Sequence, residues 1–173
     1  MPGDWSVRQI RDGEGLRLRT LRLHALADAP TAFGSTLARE QAFGEEVWRE
    51  RAAHGAAGLD RVMVVAERDD RWVGMASAIA AEPKEPVHPG PILVGMFVDG
   101  SARRLAIGEA LVERVKTWAR SHGEKHLHLW AVSANAPALA LYRHCGFEPS
   151  GRTRPVPHTA GLIELQLVAQ LAP

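Results

Sequence analysis

A chain of 173 residues with 46% apolar and 24% charged side chains carries enough apolar material for a full hydrophobic core, and one domain over residues 1–173 is expected. Lys and Arg number 21 against 20 Asp and Glu, so the formal charge of +1 excludes a global basic field for holding nucleic acid. The lone cysteine, Cys145, excludes an intrachain disulfide, and no apolar run nears the ~18 residues a membrane span needs, which leaves a cytoplasmic enzyme or binding protein as the expectation.

The opening Met1-Pro2-Gly3-Asp4-Trp5 lacks a basic stretch followed by an apolar core, so no signal peptide is expected. Residues 6–10 read as a first strand. Asp12 is a good N-cap for a helix to about Leu26, with Leu16, Thr20, Leu23 and Ala27 on one face and Pro30 as its stop. Residues 37–53 place Phe43, Val47 and Arg51 at helical spacing, which predicts a second helix. The run Val62-Met63-Val64-Val65-Ala66 reads as a buried strand, turned by Asp69-Asp70 into another over 72–80. Residues 81–91 hold four prolines and read as a loop. A fourth strand covers 91–98, with Gly95 as a bulge or close-approach point. Residues 108–122 are a helix with Ile107, Ala110, Leu111, Val115, Trp118 and Ala119 on its apolar stripe, closed by Gly123. A strand at 126–132, a short helix at 136–144 with Pro137 in its first turn, and strands at 147–152 and 162–168 complete the chain. The order βααβββαβαββ implies an α/β (α+β) fold with a sheet of mixed direction.

Two segments carry chemistry. The first is Arg103-Arg104-Leu105-Ala106-Ile107-Gly108, between a strand and a helix. A helix N-terminus gathers free N–H groups and partial positive charge, which suits a phosphate, and arginines add paired donors. The bland alternative is two surface arginines ahead of a helix. The second is Asn135-Ala136-Pro137-Ala138-Leu139-Ala140-Leu141-Tyr142-Arg143-His144-Cys145-Gly146-Phe147, directly after a strand. Asn135 also reads as a simple helix cap, and Tyr142, the only tyrosine, as a core aromatic.

Taken jointly, Arg-x-x-small-x-Gly after a strand, and about 27 residues later Asn-x-x-Ala-x-x-Leu-Tyr-x-x-x-Gly-Phe, resembles the GNAT superfamily of N-acetyltransferases. The segment Asp28-Ala29-Pro30-Thr31-Ala32-Phe33-Gly34-Ser35 is also similar to wording common in uncharacterised bacterial members. The resemblance implies the acyl-CoA N-acyltransferase fold, with acetyl-CoA as cosubstrate and no metal. It implies that Arg103, Arg104, Leu105, Ala106, Ile107 and Gly108 hold the pyrophosphate, with Glu109 next to them also on the cofactor. Met96, Phe97 and Val98 would offer backbone groups to the pantetheine arm, Asn135 and Ala138 would line its path, and Tyr142 would sit by the thioester sulfur. Phe33 and Trp48 fall in the region that shapes the acceptor pocket in that family. The family usually has glycine where this chain has Ala106, and often glycine at Arg104; a Cβ at 106 disfavours positive φ.

Acetyl transfer needs a neutral amine, donors for the developing oxyanion and a proton for the leaving thiolate. A backbone N–H near residues 96–98 could supply the oxyanion donor, and Tyr142 the proton. Glu164, Glu40, His88 and His158 are candidate bases, each also readable as a solvated surface residue. The arginines at 8, 11, 17, 19 and 22 read as a solvated helix face, with an acidic acceptor as the alternative. The histidines form no metal pattern. Cys145 has no evident partners for an acyl-cysteine role, and the absence of Gly-x-Gly-x-x-Gly argues against an NAD enzyme. The leading expectation is acetylation of a small-molecule primary amine by direct attack in a ternary complex, in the cytoplasm, without nucleic acid or membrane partners; dimers are frequent in the family. The rivals are acetylation of a protein N-terminus or lysine, and a non-catalytic CoA-binding regulatory module.

Overall fold

The computed structural model describes residues 4–80 and 90–172. Strand β1 (Trp5–Gln9) is followed by helices α1 (Gly15–Asp28), α2 (Leu37–Gln41) and α3 (Glu45–Ala57). Strands β2 (Arg61–Arg68), β3 (Arg71–Ile79) and β4 (Ile92–Val98) come next. Helix α4 (Ile107–Ser121), strand β5 (His126–Val132), helix α5 (Ala136–His144), and strands β6 (Phe147–Pro155) and β7 (Ile163–Gln170) complete the order.

The strands form one mixed sheet, ordered β1-β2-β3-β4-β5-β7-β6. Neighbours run antiparallel except β4 and β5, which are parallel and therefore need the α4 crossover between them. The β2–β3 turn is tight because Asp69 and Asp70 both adopt positive φ (51° and 59°), the type I′ geometry that matches strand twist.

Alternation along the strands divides the core between two layers. Val62, Val64 and Ala66 of β2 face α4 with Leu111, Val112 and Val115, while Val65, Met75 and Phe97 face Leu18, Leu21, Ala25 and Trp48 of α1 and α3. Helix α4 matches its expected stripe, with Val112 buried and Ala110 half-buried.

Two expectations need correction. The helix over 37–53 is two helices: Gly44 takes extended backbone, and Glu45 and Glu46 open α3 with acidic charge at its positive end. Helix α1 begins at Gly15 rather than beside Asp12, and it buries Leu18, Leu21, Ala25 and Leu26 while Leu16 is 58% exposed. The segment carries leucines on more than one face, so packing against α3 and β3, which the sequence pattern does not encode, selects the buried one.

Candidate active site

The site begins with a fault in the sheet. Met75 pairs Phe97 and Ser77 pairs Val94, so two steps along β3 match three along β4. The extra residue is a bulge at Gly95-Met96, and Gly95 sits at φ 65°, where glycine carries no Cβ penalty. On its other edge β4 pairs β5 only at Ile92↔His128. Beyond that point, among the described residues, the strands diverge and leave the backbone edge at Met96, Phe97 and Val98 without a strand partner on the β5 side.

Helix α4 points its N-terminus toward this split. The first helical bond is donated by Ala110 N–H to Ala106 O at 3.1 Å, so the N–H groups of Ile107, Gly108 and Glu109 precede the ladder. Arg104 (φ 65°) and Ala106 (φ 60°) both adopt left-handed backbone, the conformation in which successive N–H groups turn toward one concavity. The loop therefore imposes on Ala106 the glycine-like geometry that its Cβ disfavours. Leu105 is exposed, and Gly108 is a close-approach point, where a Cβ would meet Leu141 Cδ2 at 3.0 Å and Met96 Cε at 3.3 Å.

The two loop arginines behave differently. Arg103 gives its guanidinium to Asp28 Oδ2 at 2.9 Å and to Val98 O at 3.2 Å. A parallel bond joins His24 Nε2 to Asp99 Oδ2 at 2.7 Å. Bonds from Ser101 and His24 hold the Asp99 carboxyl down to about 2. Helix α1 thus braces the loop from behind, a role its sequence did not announce. Arg104 is exposed, with no ion pair among the described residues.

Ala106→Gly should stabilise the fold. Left-handed backbone costs a non-glycine residue about 1–2 kcal/mol, and glycine's extra unfolded-state freedom offsets about 0.5–1 kcal/mol. Urea unfolding is expected to show a net gain of up to about 1 kcal/mol.

Tyr142 lies on the inward face of α5 and is 7% exposed, edge-on to Phe147 at 5.9 Å between ring centroids. Its hydroxyl has no hydrogen-bond partner among the described residues. Burial pushes the phenol above its ordinary value, with Cys145 adding to the effect, so it remains a proton donor. Asn135 caps α5, its Oδ1 accepting from Ala138 N–H at 3.2 Å, so the cap accounts for that oxygen. Burial also raises the Cys145 thiol, the opposite of what a nucleophilic cysteine needs.

On the α1–α3 side of the split lies a cleft of about 410 Å³, bordered by Phe33, Met75, Val94, Gly95, Trp130 and Glu164 among others. Phe33 is in this wall. Trp48 is not: it is fully buried and stands behind Arg51, whose guanidinium lies 5.1 Å from its ring. Glu164 is 8% exposed and accepts from Arg154 Nε at 2.6 Å, while Arg154 stacks 4.3 Å from Trp130. Register places Glu164 opposite Val132 on β5, beyond the single β4–β5 pair and on the side of the bulge.

The other candidate bases separate. Glu40 is 1% exposed and taken up by Arg22 Nη2 at 2.8 Å, Arg22 Nε at 3.1 Å and Arg51 Nη1 at 3.1 Å. His158 is exposed on the β6–β7 turn, outside the cleft wall, and His88 lies outside the described residues. The N-terminal arginines are not a plain solvated face: Arg8 binds Glu14 and Glu67, Arg17 binds Glu67, and Arg22 lines the cleft. Among the described residues no group of three or more His, Cys, Asp or Glu could hold a metal, and no helix is long and apolar enough to cross a membrane.

Residues 23–147 match the family model described as the acetyltransferase (GNAT) family. A human protein, N-acetyltransferase 8, is 33% identical over 89 residues, which are 51% of this chain and 39% of that protein. The rice acetyl transferase GW6a is 37% identical over 111 residues, 57% of this chain and 26% of that protein. The chain therefore matches well under half the length of these relatives. The Salmonella typhimurium acetyltransferase yncA, solved with its cofactor acetyl-CoA, superposes with a TM-score of 0.79 at 16% identity, over 98% of this chain and 95% of that one. A matched segment that contains the bulged strand, the loop and both flanking helices places the chain in the acetyltransferase (GNAT) family.

Proposed function

We propose that the chain acetylates a small-molecule primary amine in the cytoplasm, by direct attack of the amine on acetyl-CoA in a ternary complex. The observation that carries this reading is convergence at Gly95: the cleft and the split between β4 and β5 both open onto the bulge. An acceptor in the cleft and a thioester in the split would meet there.

The residues fit acetyl-CoA in three respects. The left-handed backbone at Arg104 and Ala106 and the open N–H groups at the start of α4 suit a diphosphate. The unpaired edge of β4 offers its backbone to an extended arm. Tyr142, on α5 beside the α4 N-terminus, carries a free hydroxyl.

In the proposed step the amine lone pair forms the N–C bond at the acetyl carbon, and the C–S bond breaks. A backbone N–H at the bulge stabilises the developing oxyanion. Tyr142 Oη gives its proton to the departing sulfur, and the proton shed by the amine nitrogen restores it through solvent. Glu164, on the cleft wall, receives the proton of an arriving ammonium. Its bond to Arg154 occupies Oε2, and Oε1 remains for this task.

The test is release of free thiol from acetyl-CoA across a panel of primary amines at varied concentrations of both substrates. Intersecting double-reciprocal lines, and no acetylated protein without amine, are expected. Parallel lines with a trapped acetyl-enzyme would overturn direct attack.

A further inference from the structure

Among the described residues, four arginines line the cleft, Arg22, Arg51, Arg61 and Arg154, against one lining carboxylate, Glu164. Glu40, beneath the wall, neutralises part of this by binding Arg22 and Arg51 together. Glu164 pairs with Arg154. Among the described residues, the cleft therefore keeps an excess of positive charge, and its weakest compensation is at Arg61. The nearest carboxylate oxygen to Arg61 is Asp60 Oδ1, 3.9 Å from Nε and on a residue whose side chain is 75% exposed. Arg61 Nε is itself buried with no hydrogen-bond partner. A buried donor without an acceptor is costly, and native structures rarely leave one unmet. Arg51 gives Glu40 only Nη1, so more of its donors remain.

Register fixes where this charge stands relative to the chemistry. Arg61 pairs Ile79 and Ile79 pairs Ile92, so Arg61 lies level with the start of β4. The bulge at Gly95 is three residues further along β4, roughly 10 Å at ~3.3 Å per residue, and two strand spacings of ~4.8 Å across the sheet, which puts it about 14 Å from the Arg61 backbone. Arginine forks match the two oxygens of a carboxylate or phosphate, and an enclosed cationic wall repels a second ammonium group.

The geometry points to an acceptor that is a small amine carrying a carboxylate or phosphate, with Arg61 and Arg51 holding the anionic oxygens and the amine reaching the Gly95 bulge. The inference rests on the acetyltransferase reading above and narrows its substrate class. A polyamine or a lysine-rich peptide would meet repulsion from these arginines.

The test measures thiol release with ω-amino carboxylates of increasing length, L-amino acids and O-phosphoethanolamine, each beside its uncharged amide or its amine lacking the anionic group. The expected result is kcat/KM at least about tenfold higher for the anionic member, carried mainly by KM. The carboxylate and phosphate arms decide which oxyanion is held. Arg61→Ala should remove that preference and Arg61→Lys keep part of it. Acetyl-CoA affinity should stay unchanged, the unfolding midpoint should not fall because a buried unmet donor is removed, and calorimetric binding of the N-acetyl product to the CoA complex should weaken in Arg61→Ala. Equal use of charged and neutral amines, or equal losses for both in Arg61→Ala, would overturn the anionic acceptor while leaving the acetyltransferase standing. No thiol release with any amine would overturn both.

Discussion

Tyr142→Phe is expected to lower kcat by about 100-fold or more, the usual contribution of a positioned general acid, with acetyl-CoA affinity unchanged. The substitution removes one oxygen from a ring that is 7% exposed and edge-on to Phe147, and that oxygen has no hydrogen-bond partner among the described residues. Packing is therefore preserved, and the unfolding free energy should stay within about 0.5 kcal/mol of wild type. The effect should appear in kcat rather than in either KM, because the hydroxyl matters only when charge develops on the departing sulfur. Burial raises the phenol above its ordinary value of about 10, so the neutral donor persists across the assay range. The wild-type rate should consequently show no alkaline loss from this group between about pH 6 and 9. Full turnover in Tyr142→Phe at normal cofactor affinity would remove the residue from the mechanism.

The loop and helix starts of the candidate site are legible in the sequence, and the cleft wall is not. Arg103 to Gly108 and Asn135 to Phe147 are local: each is a helix start after a strand, and chain order alone brings α4 and α5 to one end of β4. Gly95 announced its bulge because an isolated glycine within an apolar strand has few other uses. The cleft wall, by contrast, draws Arg22 from α1, Arg51 from α3, Arg61 from β2 and Glu164 from β7. Residues so far apart in the chain share no spacing to detect. Arg22 illustrates the difficulty: it sits in a run of arginines that looks like a solvated helix face, and only Glu40, 18 residues away on a helix of five, turns it inward. Ala106 shows the reverse error. Its Cβ correctly signals strain, but the sequence does not show that the loop imposes positive φ on it nonetheless.

Glu40→Ala, beneath the cleft wall, should be strongly destabilising. Breaking a buried ion pair by removing one partner costs about 3–5 kcal/mol, because the remaining charges lose their compensation. Arg22 and Arg51 retain 16% and 35% side-chain exposure toward the cleft, which places the expected loss near the lower end, about 3 kcal/mol. Helix α2 has only five residues and one capping bond, from Arg39 N–H to Thr36 Oγ1, so little else secures it. Burial by itself raises the Glu40 carboxyl, but the Arg22 bond and the Arg22 and Arg51 charges outweigh it and hold the group below its ordinary value. The sign of the pH dependence follows. A carboxyl depressed in the folded state stabilises the protein above the unfolded value of about 4.3, and that contribution is lost as pH falls through the folded value. Urea unfolding should therefore show the wild-type advantage over Glu40→Gln in full at pH 7 and shrinking below about pH 4. In Glu40→Gln that remains folded, the two guanidiniums lose the carboxylate that aims them, so acceptor KM should rise while acetyl-CoA affinity, set on the far side of the bulge, stays level. A Glu40→Gln protein as stable as wild type at pH 7 would mean that solvent in the cleft, rather than the carboxylate, compensates the paired arginines.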